Sequence, residues 1–413
     1  MSIRFQKQIL PNGLTVIAEE NPSAHTSAVG FFVRAGARDE EARFMGVSHF
    51  LEHMMFKGTA RRSADDVNRE FDEIGANYNA FTSQEMTAYY AQVLPEYLPR
   101  AVDLLGDMLR PALRQGDFDM EKNVILEEIS MYDDRPGDRL QDVLLETYFG
   151  SHPLGFRVLG FKETVSALTS DQMRAYFEHR YSPDNIVVSL AGRLPFDETV
   201  RQIEKLTAHW QPTGAVRQYA RPDPQAVTRT MKQPNVNRHY TAMICPGPSA
   251  QDDMRYPARI LADVLGDSDG SRLYWALVDP GLADSADLSF VPQDQTGNFF
   301  AFASCDPERS EQVEEILLST LESSIATLDD QEIQRAKNKI ATLATLQGES
   351  TLGRMHSMGA KWLYQGQYVT LEEELSRIMA VTKDQVQQVA GSPAFSPRAI
   401  VRLGPEEASP SQN

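Results

Sequence analysis

The chain has 413 residues, too many for one ordinary core, with 41% hydrophobic and 24% charged residues, so a soluble protein of two domains is expected. Asp and Glu number 58 against 40 Lys and Arg, and the formal charge of −18 argues against nucleic acid or an anionic membrane surface as the main partner, leaving basic or neutral substrates open. Two cysteines, Cys245 and Cys305, lie far apart in no CxxC pattern, which excludes a disulfide framework and a zinc–thiolate site.

From the start of the chain, KQIL and LTVIAEE flank the turn Pro11-Asn12-Gly13 and predict a hairpin. The turn arrives before any apolar stretch of the secretory kind develops, and no segment approaches the roughly 18 to 20 apolar residues of a membrane span, so a cytoplasmic location is expected. SAVGFFVRAG reads as an apolar strand, VSHFLEHMMF as a helix, and SADDVNREFDEIG as a second helix stopped by Gly75. ANYNAFTSQEMTAYYAQVL, rich in aromatics and threonines, predicts a strand pair. YLPRAVDLLGDMLR has helical spacing, DFDMEKNVILEEISMYDD predicts a longer helix behind a cap at Asp117, and RYSPDNIVVSLAGRL a turn feeding a buried strand.

Between about residues 205 and 230 prolines accumulate and aliphatics thin out, which reads as a linker. The order of elements then repeats. HYTAMICPGPSAQDDMRYPARILADVLG matches the strand, loop and helix that end in HFLEHMM, and QEIQRAKNKIATLATL echoes DFDMEKNVILEEISMY, with a Lys-Asn pair at the same point. The expected architecture is therefore α+β: two homologous domains, 1–215 and 216–413, each an antiparallel-rich sheet covered on one face by helices.

His49, Glu52 and His53 fall three and four residues apart and share one face of their helix. Two imidazoles at that spacing can reach one divalent ion, and a carboxylate between them is placed to take a proton from a metal-bound water, the logic of the HxxEH signature. A catalytic zinc then still needs a further protein ligand. The helix DMEKNVILEEISMYDD offers Glu121 and Glu128, seven residues apart on one stripe with Val124 and Ile125, and Glu127 is a rival.

The succession HFLEHMMFKGT, NAFTSQEMTAYYA, EKNVILEEISMYDD and SHPLGFRVLGFKETVSALTSDQMRAYFEHRYSPDNIVVSLAG resembles the M16 metallopeptidases, the family of pitrilysin, insulin-degrading enzyme and the mitochondrial processing peptidase. The likeness is specific through the first half and mainly architectural through the second. It implies a zinc-dependent endopeptidase with one zinc per chain, His49, His53 and Glu128 as metal ligands, Glu52 as general base, and Glu121 as an acidic residue supporting the catalytic site. It also implies that a peptide substrate adds to the edge of the strand carrying Asn79, Ala80 and Phe81, as in β-augmentation. Active relatives usually carry an Arg and a Tyr in their second half, where this chain has Leu277 and Asp284. The resemblance therefore implies a homodimer, or a heterodimer whose other subunit supplies that pair, with four domains enclosing a chamber. A catalytically silent scaffold subunit is the alternative.

Overall fold

The computed structural model describes residues 3–391 and 395–406. Its first sheet contains β1 (Arg4–Ile9), β2 (Thr15–Glu20), β3 (Ser27–Val33), β4 (Asn77–Thr82), β5 (Thr87–Val93) and β6 (Ile186–Gly192), in the order β1-β2-β6-β3-β5-β4. Only β2 and β6 run parallel; the other neighbours are antiparallel. β3 and β6 are buried along their whole length, as central strands with both faces covered must be. The second sheet contains β7 (Thr228–Gln233), β8 (His239–Pro246), β9 (Ser285–Gln293), β10 (Thr296–Cys305) and β11 (Ala399–Pro405), in the order β7-β11-β8-β10-β9. That order matches β2-β6-β3-β5-β4 place for place, and the parallel pair, β7 with β11, falls at the same position.

The helices in chain order are α1 (Val47–Met55), α2 (Ala64–Glu73), α3 (Leu98–Met108), α4 (Gln115–Asp133), α5 (Pro136–Phe149), α6 (Lys162–Ala167), α7 (Ser170–Arg180), α8 (Phe196–Thr207), α9 (Arg255–Gly266), α10 (Ser310–Ser323), α11 (Asp330–Glu349), α12 (Thr351–Gln365), α13 (Leu371–Ala380) and α14 (Lys383–Gly391). α4 begins at Gln115, two residues ahead of Asp117, which falls in the first turn instead of capping it. None of the helices among the described residues is long and apolar enough to cross a membrane.

The chain forms two units. One takes the residues up to Ile129 with Phe156–Tyr219 and Thr345–Val369; the other takes Ser130–Gly155, Ala220–Ala344 and the residues from Thr370 onward. A single cut at 215 thus captures the course of the chain but not the composition of the units, because each half lends the other one helix. In the first unit, Met355 and Met358 of α12 lie against Ile17, Ala28 and Phe32, on the sheet face opposite the main core. In the second, Leu140, Val143 and Leu144 of α5 lie against Ile244, Val401 and Leu403. Each sheet is therefore covered on both faces, where one covered face was expected. The proline-rich stretch after α8 forms no regular element until Thr228, yet it is tied down, with Arg217 only 4% exposed.

In the first unit the main core gathers Phe50, Leu51 and Met54 of α1 with Val29, Phe31, Leu105, Phe118 and Ile125. The entry to α1 is a single glycine. Gly46 has φ of +96°, and a Cβ there would stand 2.7 Å from the carbonyl oxygen of Leu159. Gly46→Ala therefore combines left-handed strain with a backbone clash and is expected to lower stability by roughly 1 to 3 kcal/mol. Denaturant unfolding monitored by circular dichroism measures this, and an unchanged midpoint contradicts it.

Candidate metal centre

α1 is nine residues long, too short to hold itself in water, so its surroundings must fix it. Its apolar residues Val47, Phe50, Leu51, Met54 and Met55 are buried, which turns His49, Glu52 and His53 to the opposite side. The start of the helix is clamped from outside. The carboxylate of Glu40 accepts hydrogen bonds from the backbone N–H groups of Gly46 and Ser48, both at 2.7 Å, satisfying donors that a helix start leaves open. Ser48 in turn meets the hydroxyl of Tyr176 at 2.7 Å. Burial pushes the Glu40 carboxyl up to about 8, although the Ser48 and Gly46 hydrogen bonds pull the other way.

α4 brings Glu121 and Glu128 to this face of α1. Oε2 of Glu128 lies 3.7 Å from Nε2 of His49 and 3.6 Å from Nε2 of His53. One donor atom from each of the three residues falls within 4.8 Å of the others. The two imidazole rings stand with centroids 4.7 Å apart. Donors around a tetrahedral zinc at ~2.1 Å are about 3.4 Å apart, so this set is already near the required spacing. Glu121 is buried and serves His53 instead: Nδ1 of His53 and Oε1 of Glu121 are hydrogen bonded at 2.9 Å. That contact places the imidazole proton on Nδ1 and leaves the Nε2 lone pair toward Glu128. The Lys57 ammonium stands 2.5 Å from the other oxygen of Glu121. Glu127 is exposed, and so is Val124, with Ile125 alone carrying the inward stripe between the two glutamates.

Glu52 accepts a hydrogen bond from the hydroxyl of Thr82, at 2.6 Å, at the end of β4. Burial raises the Glu52 carboxyl above the ordinary carboxylate range, with Thr82 and His53 opposing and Glu128 adding to the rise. Burial likewise raises Glu128, His53 opposing and Glu121 assisting. Burial, reinforced by the charge of His53, drops His49 to about 3, so its imidazole is neutral and keeps a free lone pair. Nδ1 of His49 is buried and has no hydrogen-bond partner among the described residues. For His53 burial works against protonation, but the Glu121 hydrogen bond and the charges of Glu128, Glu121 and Glu52 outweigh it and raise the pKa. Glu121 is lowered because the His53 and Lys57 hydrogen bonds overcome its own burial.

The structure thus brings together His49, Glu52, His53, Glu121 and Glu128. Among the described residues β4 is the edge of its sheet and pairs with β5 alone. Asn79 and Phe81 are exposed and Ala80 is half-buried. Because side chains alternate along a strand, Phe81 leans toward His356 of α12, ring centroids 6.0 Å apart, while Thr82 reaches Glu52. Thr82, Lys57 and Glu40 are site residues that the motif does not announce. Thr82 follows from the period of two counted from Ala80, and Lys57 from a step of four beyond His53, whereas Glu40 has no local signal. In the second unit Leu277 is buried in the core, and Asp284 forms an ion pair with Arg238 at 2.5 Å.

Residues 15–161 match the family model described as insulinase, peptidase family M16, and residues 167–340 match the peptidase M16 inactive domain. An "uncharacterized zinc protease" of Streptomyces coelicolor is 34% identical over 398 residues, covering 93% of this chain and 86% of its own length. Another of Bacillus subtilis is 32% identical over 407 residues, covering 97% and 98%. A protease from Helicobacter pylori shares the fold at a TM-score of 0.91 and 20% identity, over 98% of this chain and 100% of its own. A Pseudomonas fluorescens structure described as a peptidase M16 inactive domain does so at 0.90 and 20%, over 98% and 99%.

The metal-free chain gives a direct test of the electrostatics. By NMR titration, the His49 ring is expected to remain neutral down to about pH 4, and His53 to titrate above 6.5. Glu121→Gln is expected to lower the His53 pKa. Since an unfolded imidazole takes up its proton near 6.5 and folded His49 only near 3, His49 withdraws stability from the metal-free fold as pH falls through that window. A His49 resonance that titrates near 6.5 contradicts the assignment.

Proposed function

The chain belongs to peptidase family M16, and on that premise we propose that it is a zinc-dependent endopeptidase acting on extended peptides. The observation that carries the reading is the convergence of His49, His53 and Glu128 within 4.8 Å, with Glu52 alongside and held by Thr82. Nε2 of His49, Nε2 of His53 and an oxygen of Glu128 are the donors for one zinc per chain. The set fits the ion: both imidazoles offer a lone pair, one of them through the Glu121 contact, and three carboxylates facing one lysine and one histidine call for a cation. Zinc bound there supplies a Lewis acid for the scissile carbonyl and a water acidified to near neutrality.

The remaining work falls to side chains of this chain. Glu52, whose carboxyl burial makes more basic than an ordinary carboxylate, accepts a proton and returns it to the leaving amine. Thr82 leaves one Glu52 oxygen engaged, which fixes the carboxylate's orientation. The free edge of β4 at Asn79, Ala80 and Phe81 receives the substrate main chain, so that affinity depends little on substrate sequence. The acidic surface favours basic peptides through steering.

We further infer that the active assembly is a dimer enclosing a chamber, homomeric or with a related subunit that supplies an Arg/Tyr pair. Burial of Leu277 and pairing of Asp284 with Arg238 support a division of labour in which this chain is the zinc-bearing half. The same observation favours one rival, a zinc-binding scaffold without turnover of its own.

Glu52→Gln is expected to keep its zinc and lose turnover by roughly 100- to 10,000-fold. Glu128→Gln is expected to lose the zinc. Metal analysis and peptide cleavage, with the chain alone and with a homologous partner, decide the matter. Zinc-dependent cleavage in neither condition leaves the scaffold reading standing.

A further inference from the structure

Arg217 lies in the proline-rich stretch that reads as a linker, yet its side chain is only 2% exposed and sits in a buried charge cluster. Its guanidinium donates to both oxygens of Asp39, at 3.0 Å from Nε and 2.7 Å from Nη2. Nη2 also donates to the backbone carbonyl of Glu85, and Nη1 stands 3.8 Å from the Glu85 carboxylate. Arg38 closes the cluster with a 2.6 Å ion pair to Glu85. Arg180 adds a second cation 3.5 Å from Asp39. The two backbones so held also bond directly, Arg38 N–H to the Gln84 carbonyl at 2.7 Å and Ala37 N–H to that of Ser83 at 3.2 Å.

Each arm of Arg217 leads to a different part of the metal centre. Asp39 is the neighbour of Glu40, whose carboxylate clamps the start of α1, and α1 carries His49, Glu52 and His53. Glu85 lies in the turn between β4 and β5, three residues beyond Thr82, whose hydroxyl orients Glu52. One guanidinium therefore grips both the loop that sets the height of α1 and the turn that sets the reach of Thr82. A planar fork with fixed directions suits that task in a way that a lysine does not.

We propose that Arg217 is a positioning residue of the metal centre, acting through Asp39–Glu40 on the helix of the two imidazoles and through the Glu85 turn on the Thr82–Glu52 contact. This rests on the metallopeptidase reading above for its catalytic part, while its effect on metal affinity stands independently. Groups that orient metal ligands typically control affinity or activity by about 10- to 100-fold.

The test is Arg217→Lys, which keeps the charge and loses the fork. Zinc affinity is measured by chelator competition on the full chain, alongside thermal melting and, where the unaltered chain cleaves peptide, kcat and KM. The expected result is zinc affinity lower by about 10-fold or more, a retained cooperative melt, and a fall in kcat with KM little changed. Unchanged zinc affinity and kcat in a folded variant overturn the proposal. If Arg217→Lys does not fold, Asp39→Asn, which keeps the side-chain size but offers the Arg217 fork one acceptor oxygen where Asp39 offers two, carries the same expectation. If both lose the fold, the cluster is a folding determinant and the positioning role falls. An unaltered chain that binds zinc but cleaves nothing, either alone or with a homologous partner, refutes the peptidase reading and leaves the affinity comparison intact.

Discussion

Three donor atoms from two separate helices must meet within the span of one ion, and the nine-residue helix that brings two of them cannot hold itself in place. Much of the first unit answers that constraint. The apolar side of α1 is fixed by the core under the sheet, its start by the Glu40 carboxylate, and its entry angle by a glycine in the left-handed region. α4 then needs only to present Glu128 at the right height. Its inner stripe does so through Phe118, Glu121 and Ile125, all buried against or beside α1. The site is stiff because it rests on packed elements, with a single loop carboxylate as its clamp.

The second unit shows the same frame without the demand. Aligned on their Lys-Asn pairs, Lys122-Asn123 and Lys337-Asn338, α4 and α11 place Ala336 where Glu121 stands and Leu343 where Glu128 stands. Ala336 is buried and Leu343 is 52% exposed, so neither position offers a metal ligand. α9, the counterpart of α1, reads ARILADVLG and buries most of its length. Removing the imidazoles lets the helix be apolar nearly all round, which is the cheaper solution for a purely structural element.

Individual strands, the duplicated plan and the candidate ligands were legible because each depends on local pattern: alternation in the strands, a step of three and four in α1, a step of seven in α4. The order of strands in each sheet, set by distant pairings such as β2 with β6, was not. The choice of Glu128 over Glu127 was not settled by spacing alone, and the structure separates them by facing, since Glu127 is exposed. Glu40 and Arg217 were invisible for the opposite reason. Glu40 reaches Gly46 and Ser48 across the loop that enters α1 and Arg217 reaches Asp39 over 178 residues, and no periodicity encodes either pairing. The covering of the second sheet faces was missed because α5 and α12 act far from their sequence neighbours. Val124 failed for a subtler reason: at i+3 from Glu121 it lies at the rim of the stripe, where a few tens of degrees of rotation decide between core and solvent.

The exchange of helices also governs when each part of the molecule can finish folding. The sheet of the first unit is complete once β6 has been made, at Gly192, but the residues that close its second face, Met355 and Met358 against Phe32 and Ala28, follow more than 160 residues later. During synthesis the metal-binding half must therefore wait, with an apolar sheet face open, until α12 emerges. The second unit has the reverse order: α5 is made early and has no sheet to cover until β8 and β11 exist. Neither half of the duplicated chain, taken by itself, contains every helix that covers its own sheet.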